Sequence, residues 1–122
     1  MFRTLLVEDN APFRMILKDN LQSEFPSMDI SEAGDGTEAL EIIRSSPPNL
    51  VFMDVRLPGQ NGLELTRMIK TDYPHITVIV LTSYDLPDYR QRAAELGTVC
   101  FLVKGQATPE EILNLVKNYS QG

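Results

Sequence analysis

The chain is short of cysteine: Cys100 is the only one in 122 residues. A single thiol rules out an internal disulfide framework and gives no zinc-ligand spacing. Base is short too, with 11 Lys and Arg against 17 Asp and Glu and a net charge of −6. Direct nucleic-acid binding by this domain is therefore not expected, because neutralising phosphates needs a basic face. Long apolar runs are missing as well. Nothing approaches the roughly 20 residues of a membrane helix, and the apolar start of MFRTLLVEDN is too brief for a signal peptide. These absences point to a reducing, cytoplasmic setting without membrane contact.

What is present fits one ordinary domain spanning 1–122, with 43% hydrophobic and 23% charged residues. Ser120-Gln121-Gly122 is read as the possible start of a linker. Four short apolar runs stand out: Leu5 to Val7, Leu50 to Met53, Ile76 to Leu81 and Val99 to Val103. They do not alternate with polar residues, so each reads as a strand covered on both faces, as in a parallel sheet. Met28 to Ser31 is a weaker fifth strand.

Helical spacing fills the intervals. Phe13, Leu17, Leu21 and Phe25 recur every four residues, Ala39, Leu40 and Ile43 mark a second helix, and Leu65, Met68 and Ile69 a third. Asp88 to Leu96 is a faint fourth. The last helix is announced by Thr108-Pro109-Glu110-Glu111, a cap, a first-turn proline and a capping-box acid, with Ile112, Leu115, Val116 and Tyr119 as its stripe. Pro12 marks the start of the first helix and Gly97 the end of the fourth. Five βα units predict an α/β fold, a doubly wound (βα)5 with a five-stranded parallel sheet in the order 2-1-3-4-5, flavodoxin-like.

In such folds ligands sit beyond the carboxyl ends of the strands. Those ends carry Glu8 and Asp9, Asp54, Thr82 and Ser83, and Lys104. Singly, Glu8 and Asp9 read as solvated loop acids and Asp54 as a turn cap ahead of Pro58 and Gly59. Brought together, two carboxylates about 4 Å apart repel by roughly 4 kcal/mol at an effective dielectric near 20, so the corner calls for a cation. Oxygen ligands left open to water suit Mg²⁺, which in turn favours a phosphate partner. Lys104 and the Thr82 hydroxyl can hold phosphoryl oxygens. With no serine–histidine pair and no glycine-rich phosphate loop, Asp54 is the candidate nucleophile.

The segments VEDN, FMDVRLPGQNG, VLTSYD and FLVKGQATPEE resemble, at similar separations, the motifs of bacterial response-regulator receiver domains. The resemblance implies phosphotransfer from a histidine kinase or phosphotransfer protein onto Asp54. It implies Mg²⁺ held by Asp9, Asp54 and the backbone carbonyl of Arg56, with Glu8 acting through water. It makes Thr82 and Phe101 switch residues and implies a changed surface at the fourth helix, fifth strand and fifth helix. Partners would be an output domain or partner protein, or a second copy on phosphorylation, and the only chemistry would be self-phosphorylation and self-dephosphorylation.

The chain departs from the pattern at Glu8, where aspartate is commoner, at Ser83 for alanine, at Gly105 for proline, and in the more apolar Val99-Cys100. Thr108-Pro109-Glu110-Glu111 is also similar to the fifth-helix start of the subfamily with helix-turn-helix output. Two other readings stand beside this one. An aspartate-nucleophile phosphatase would need a general acid two residues after Asp54, where Arg56 stands. A receiver-like interaction domain that no longer uses phosphorylation is suggested by Gly105 and the altered fifth strand. Phe101 alone reads as core, Cys100 as a buried small hydrophobe and His75 as a surface residue, while Arg56 and Tyr84 flank the expected pocket.

Overall fold

A computed structural model describes residues 2–121. The elements run β1 (Arg3–Val7), α1 (Ala11–Glu24), β2 (Asp29–Ala33), α2 (Gly36–Ser45), β3 (Leu50–Met53), β4 (Arg56–Leu57), β5 (Gln60–Asn61), α3 (Gly62–Asp72), β6 (Thr77–Thr82), α4 (Pro87–Glu95), β7 (Cys100–Val103) and α5 (Pro109–Gln121). The main sheet is five-stranded and parallel, ordered β2-β1-β3-β6-β7. With the small antiparallel β4-β5 hairpin set aside, this is the expected 2-1-3-4-5.

Side chains alternate across the sheet and build a core on each side. Leu6, Phe52, Ile79 and Leu81 pack with Leu17 and Leu21 of α1 and Ile112 and Val116 of α5. Leu5, Val7, Val51, Met53 and Val78 pack on the opposite side with Ala39 and Ile43 of α2 and Leu65 and Ile69 of α3. Near the far edge Val80 joins Leu63 and Ala93, with Tyr89 and Phe101 against them. Burial on both faces explains why the central strands are unbroken apolar runs.

Most helix starts are fixed by side chains that take otherwise orphan N–H groups. Asn10 accepts the Phe13 N–H at 3.0 Å, Asp35 that of Glu38 at 2.9 Å, and Asn61 that of Leu63 at 2.7 Å. At α5 the expected capping box is formed: Thr108 Oγ1 accepts the Glu111 N–H at 3.1 Å, and Glu111 Oε1 accepts the Thr108 N–H at 3.4 Å. In α4 the cap residue Leu86 makes no such bond.

Several expectations are corrected. The second strand is Asp29–Ala33 rather than Met28 to Ser31, because Met28 belongs to the core below while the ladder with β1 extends to Ala33. The fourth helix is Pro87–Glu95 rather than Asp88 to Leu96, whereas Pro12 does mark the start of the first, standing in its opening turn just after the Asn10 cap. Tyr119 is exposed and Cys100 only half-buried. Gly97, φ +84°, takes the left-handed conformation at the end of α4. Of the expected linker start, Ser120 and Gln121 belong to α5 and Gly122 lies outside the described residues.

Candidate functional site

The site is assembled by extending the strand ladders one residue past their formal ends. Glu8 N–H bonds Ala33 O at 3.0 Å, Asp54 N–H bonds Val7 O at 3.1 Å and Lys104 N–H bonds Thr82 O at 2.8 Å. Alternation then decides who meets whom. Glu8 follows Leu6, Asp54 follows Phe52 and Lys104 follows Leu102, so all three continue the rows that face α1 and α5. Thr82 follows Val78 and Val80 on the other side.

Contacts agree with that arithmetic. The Lys104 ammonium donates to Asp54 Oδ2 at 3.1 Å, pairs closely with Glu8 Oε1, and lies 4.6 Å from the centre of the Phe13 ring. Glu8 is 4% exposed and Asp54 6%. Glu8 Oε2 also accepts the Asn10 N–H at 3.0 Å. Burial pushes the Glu8 carboxyl up in pKa, and the bonds from Lys104 and Asn10 pull it back only in part. Burial acts on Lys104 in the opposite sense, but its bond to Glu8 and the charge of Asp54 outweigh it, so the ammonium is held charged to higher pH.

The other Asp54 oxygen, Oδ1, is buried and has no hydrogen-bond partner. An orphaned carboxylate oxygen is costly unless something charged or polar comes to it. Glu8, Asp9 and Asp54 each offer an oxygen, all within 4.8 Å of one another. An acid trio with one buried, unclaimed oxygen is a donor set that fits a divalent cation.

The three carboxylates and Lys104 line an open depression, together with Arg56, Leu57, Ser83 and Tyr84. The Arg56 guanidinium lies 3.8 Å over the Tyr84 ring at its rim. Thr82 is fully buried; its hydroxyl accepts the Tyr84 N–H at 3.3 Å, and it is not among the lining residues. Phe101 is half-buried, with the Arg90 guanidinium 4.9 Å from its ring centre, and Arg90 is paired with Asp85 at 2.5 Å. Of the residues expected at the site, the fold thus gathers Glu8, Asp9, Asp54, Arg56 and Lys104 and leaves Thr82 and Phe101 behind them. The Lys104–Gly105 peptide is trans, and Gly105 adopts φ +85°.

Two supports escaped sequence reasoning. A Cβ on Gly62 would stand 1.8 Å from the Asp54 carbonyl oxygen, so this glycine is required for α3 to begin against the back of Asp54. In the sequence it passes for one more turn residue. Arg14 donates to the Glu8 carbonyl at 2.5 Å and to Glu32 at 3.0 Å, a long-range tie that periodicity does not reveal.

Comparison with known proteins agrees with the geometry. Residues 4–117 match the family model described as the response regulator receiver domain. Sporulation initiation phosphotransferase F of Bacillus subtilis is 31% identical over 117 residues, 96% of this chain and 92% of that protein. The transcriptional regulatory protein PdtaR of Mycobacterium tuberculosis is 36% identical over 102 residues, 84% of this chain and 49% of that protein, so the chain spans about half the length of this relative. Among solved structures, the response regulator domain of Thermotoga maritima CheB superposes with a TM-score of 0.82 at 30% identity, over 99% of this chain and 95% of that one. With a family model covering nearly every element, and the acids and lysine converging where four separate motifs place them, the chain belongs to the response regulator receiver domains of two-component signalling.

Proposed function

We propose that Asp54 accepts a phosphoryl group from the phosphohistidine of a histidine kinase or phosphotransfer protein. The observation that carries this reading is the state of its carboxylate: one oxygen is tethered to Lys104 and the other is buried without a partner inside an acid trio. In the transfer, an Asp54 oxygen forms a bond to phosphorus, the phosphorus–nitrogen bond breaks, and its electron pair returns to the donor imidazole. Glu8, Asp9, Asp54 and the Arg56 main-chain carbonyl are the groups that would hold Mg²⁺. A divalent ion there supplies charge neutralisation for the phosphoryl oxygens.

This chain's own residues do the rest. Lys104 is long enough to move from the Asp54 carboxylate to a phosphoryl oxygen, exchanging one charge-assisted bond for another. Thr82 is one residue from Ser83 on the rim, and its hydroxyl is a donor for a second oxygen. Drawing Thr82 toward the phosphoryl group alters the row it shares with Val80, against which Phe101 packs. Self-dephosphorylation returns the carboxylate as water bonds to phosphorus and the Asp54 oxygen–phosphorus bond breaks. Sustained turnover of other phosphate esters is not part of this reading, since Arg56, two residues on, is no general acid.

A donor surface adjoins the site. Met15 and Ile16 on α1 are 60% and 61% exposed, and Phe13, Ile16, Ala107 and Leu113 line an apolar cleft between α1 and α5 that opens beside Lys104. The likeness to a protein named a phosphotransferase supports such a donor. Reaction in the cytoplasm, and an output domain, partner protein or second copy as receiver of the signal, complete the proposal. No described helix is long and apolar enough to cross a membrane.

Treatment with acetyl phosphate and Mg²⁺ tests it: intact mass should rise by one phosphoryl group, and the gain should vanish in Asp54→Asn. A wild-type chain that stays unmodified, and shows no spectral response to beryllofluoride with Mg²⁺, would favour an interaction domain without phosphorylation.

A further inference from the structure

Asp9 is exposed, and among the described residues its carboxylate accepts no hydrogen bond and forms no ion pair. With no tether on the side chain, the direction in which it leaves the backbone decides whether its rotamers can reach the oxygens of Glu8 and Asp54. The peptide that joins Glu8 to Asp9 is gripped at its oxygen by the Arg14 guanidinium, Nη1 to Glu8 O at 2.5 Å. Through Nε the same guanidinium bonds Glu32 Oε1 at 3.0 Å, and Glu32 Oε2 takes the Lys18 ammonium at 3.1 Å. Glu32 sits on edge strand β2, opposite Leu6 in register, and Arg14 and Lys18 lie one turn apart on α1. The Arg14 side chain is only 20% exposed. A planar fork satisfying a carboxylate and a carbonyl at once fixes the peptide plane in a way that a single point contact does not.

We infer that Arg14, braced by Glu32, is a positioning residue that holds the Glu8–Asp9 peptide so that the carboxylates of Glu8 and Asp9 converge with that of Asp54 on a divalent cation. The inference rests on the cation-binding reading of the acid trio. It touches neither the phosphoryl group nor the ion itself.

A charge effect and a positioning effect of Arg14 lead to opposite outcomes. Arg14 is a cation near a cation site. If it acted only through charge, removing it would tighten metal binding, and exchanging it for lysine would change nothing. If it positions the peptide, Arg14→Ala weakens binding despite relieving that repulsion, and Arg14→Lys weakens it despite keeping the charge.

Mn²⁺ binding to the whole chain, followed by the loss of the free ion's paramagnetic resonance signal, measures this directly. Thermal unfolding in chelator and in excess Mn²⁺ reports the fold. We expect about tenfold weaker binding in Arg14→Ala and severalfold weaker in Arg14→Lys, with a correspondingly smaller rise in unfolding midpoint on adding metal. Glu32→Gln on an Arg14→Ala background should add little, because the two act as one unit. A structural role alone would lower the midpoint in chelator and leave the dissociation constant unmoved.

Wild-type protein that does not bind Mn²⁺, or binds it equally well as Asp54→Asn, overturns the cation reading of the site. Wild-type binding that Arg14→Lys and Arg14→Ala match within twofold, or that Arg14→Ala tightens, overturns the positioning role. If Arg14→Ala fails to fold, Arg14→Lys carries the decision.

Discussion

At the scale of single residues, the site depends on close fits that leave no spare atoms. Gly62 is the sharpest case, since its missing Cβ is space used by the Asp54 carbonyl. Gly62→Ala should cost about 2 kcal/mol in urea unfolding, within the usual range for overpacking, and should slow acetyl-phosphate labelling of Asp54 more than its stability loss explains. Glu32 offers a pH test. Burial alone would raise its carboxyl, but Lys18 and Arg14 together hold it below its usual range. A group depressed in the folded state stabilises it fully above the unfolded pKa, near about 4.3, and loses that contribution as pH falls through the folded value. The stability gap between wild type and Glu32→Gln should therefore be present at neutral pH and close as the solution is acidified below the unfolded carboxyl's range. A gap unchanged by acid would show that Glu32 is not held charged. The clustered acids and lysine were readable in the sequence because they follow the ends of apolar runs. Arg14 and Glu32 were not, since two ordinary surface-type residues 18 positions apart carry no periodic mark.

Among the elements, legibility followed burial. The runs at β1, β3 and β6 announced themselves because both faces are covered and the central side chains of each strand are apolar. The edge strand β2, DISEA, is only partly buried, so its pattern was blurred and its bounds shifted. Helix α4 was faint for the same reason: Ala93 is its single buried residue, and it starts without a side-chain cap. Both features give it the weakest hold of the five helices. Leu86, 42% exposed, stands at the cap position with extended backbone, φ −104° and ψ 135°. Leu86→Asp should supply the missing acceptor, stabilise the protein by about 1 kcal/mol, and slow amide hydrogen exchange in the first turn of α4. Unaltered exchange there would mean that the turn is already held by contacts elsewhere.

For the molecule as a whole, the order of strands and the location of the site followed from topology, because a doubly wound sheet directs its strand ends to one edge. What topology alone did not give was sidedness. Glu8, Asp54 and Lys104 share one face of the sheet with α1 and α5, whereas Thr82 and Phe101 belong to the face covered by α3 and α4. The sheet is therefore a partition one strand thick between the acid–lysine cluster and the packing around Phe101. The whole chain also carries a net charge of −6, and its acids are most tightly gathered at that cluster. Asp9→Asn should raise the unfolding midpoint in chelator by a few degrees, the equivalent of about 1 kcal/mol for a domain of this size, while removing most of the stabilisation that Mn²⁺ confers on wild type. A lower midpoint in chelator would mean that Asp9 makes net favourable contacts without metal.

Three acids, each with an oxygen within 4.8 Å of the others, and one ammonium held between Glu8 and Asp54 resemble a compressed spring under a single catch. A chain selected only to persist would replace those acids with amides and relax. Keeping them leaves the resting protein under tension, ready to yield when a new anion arrives and draws the catch away.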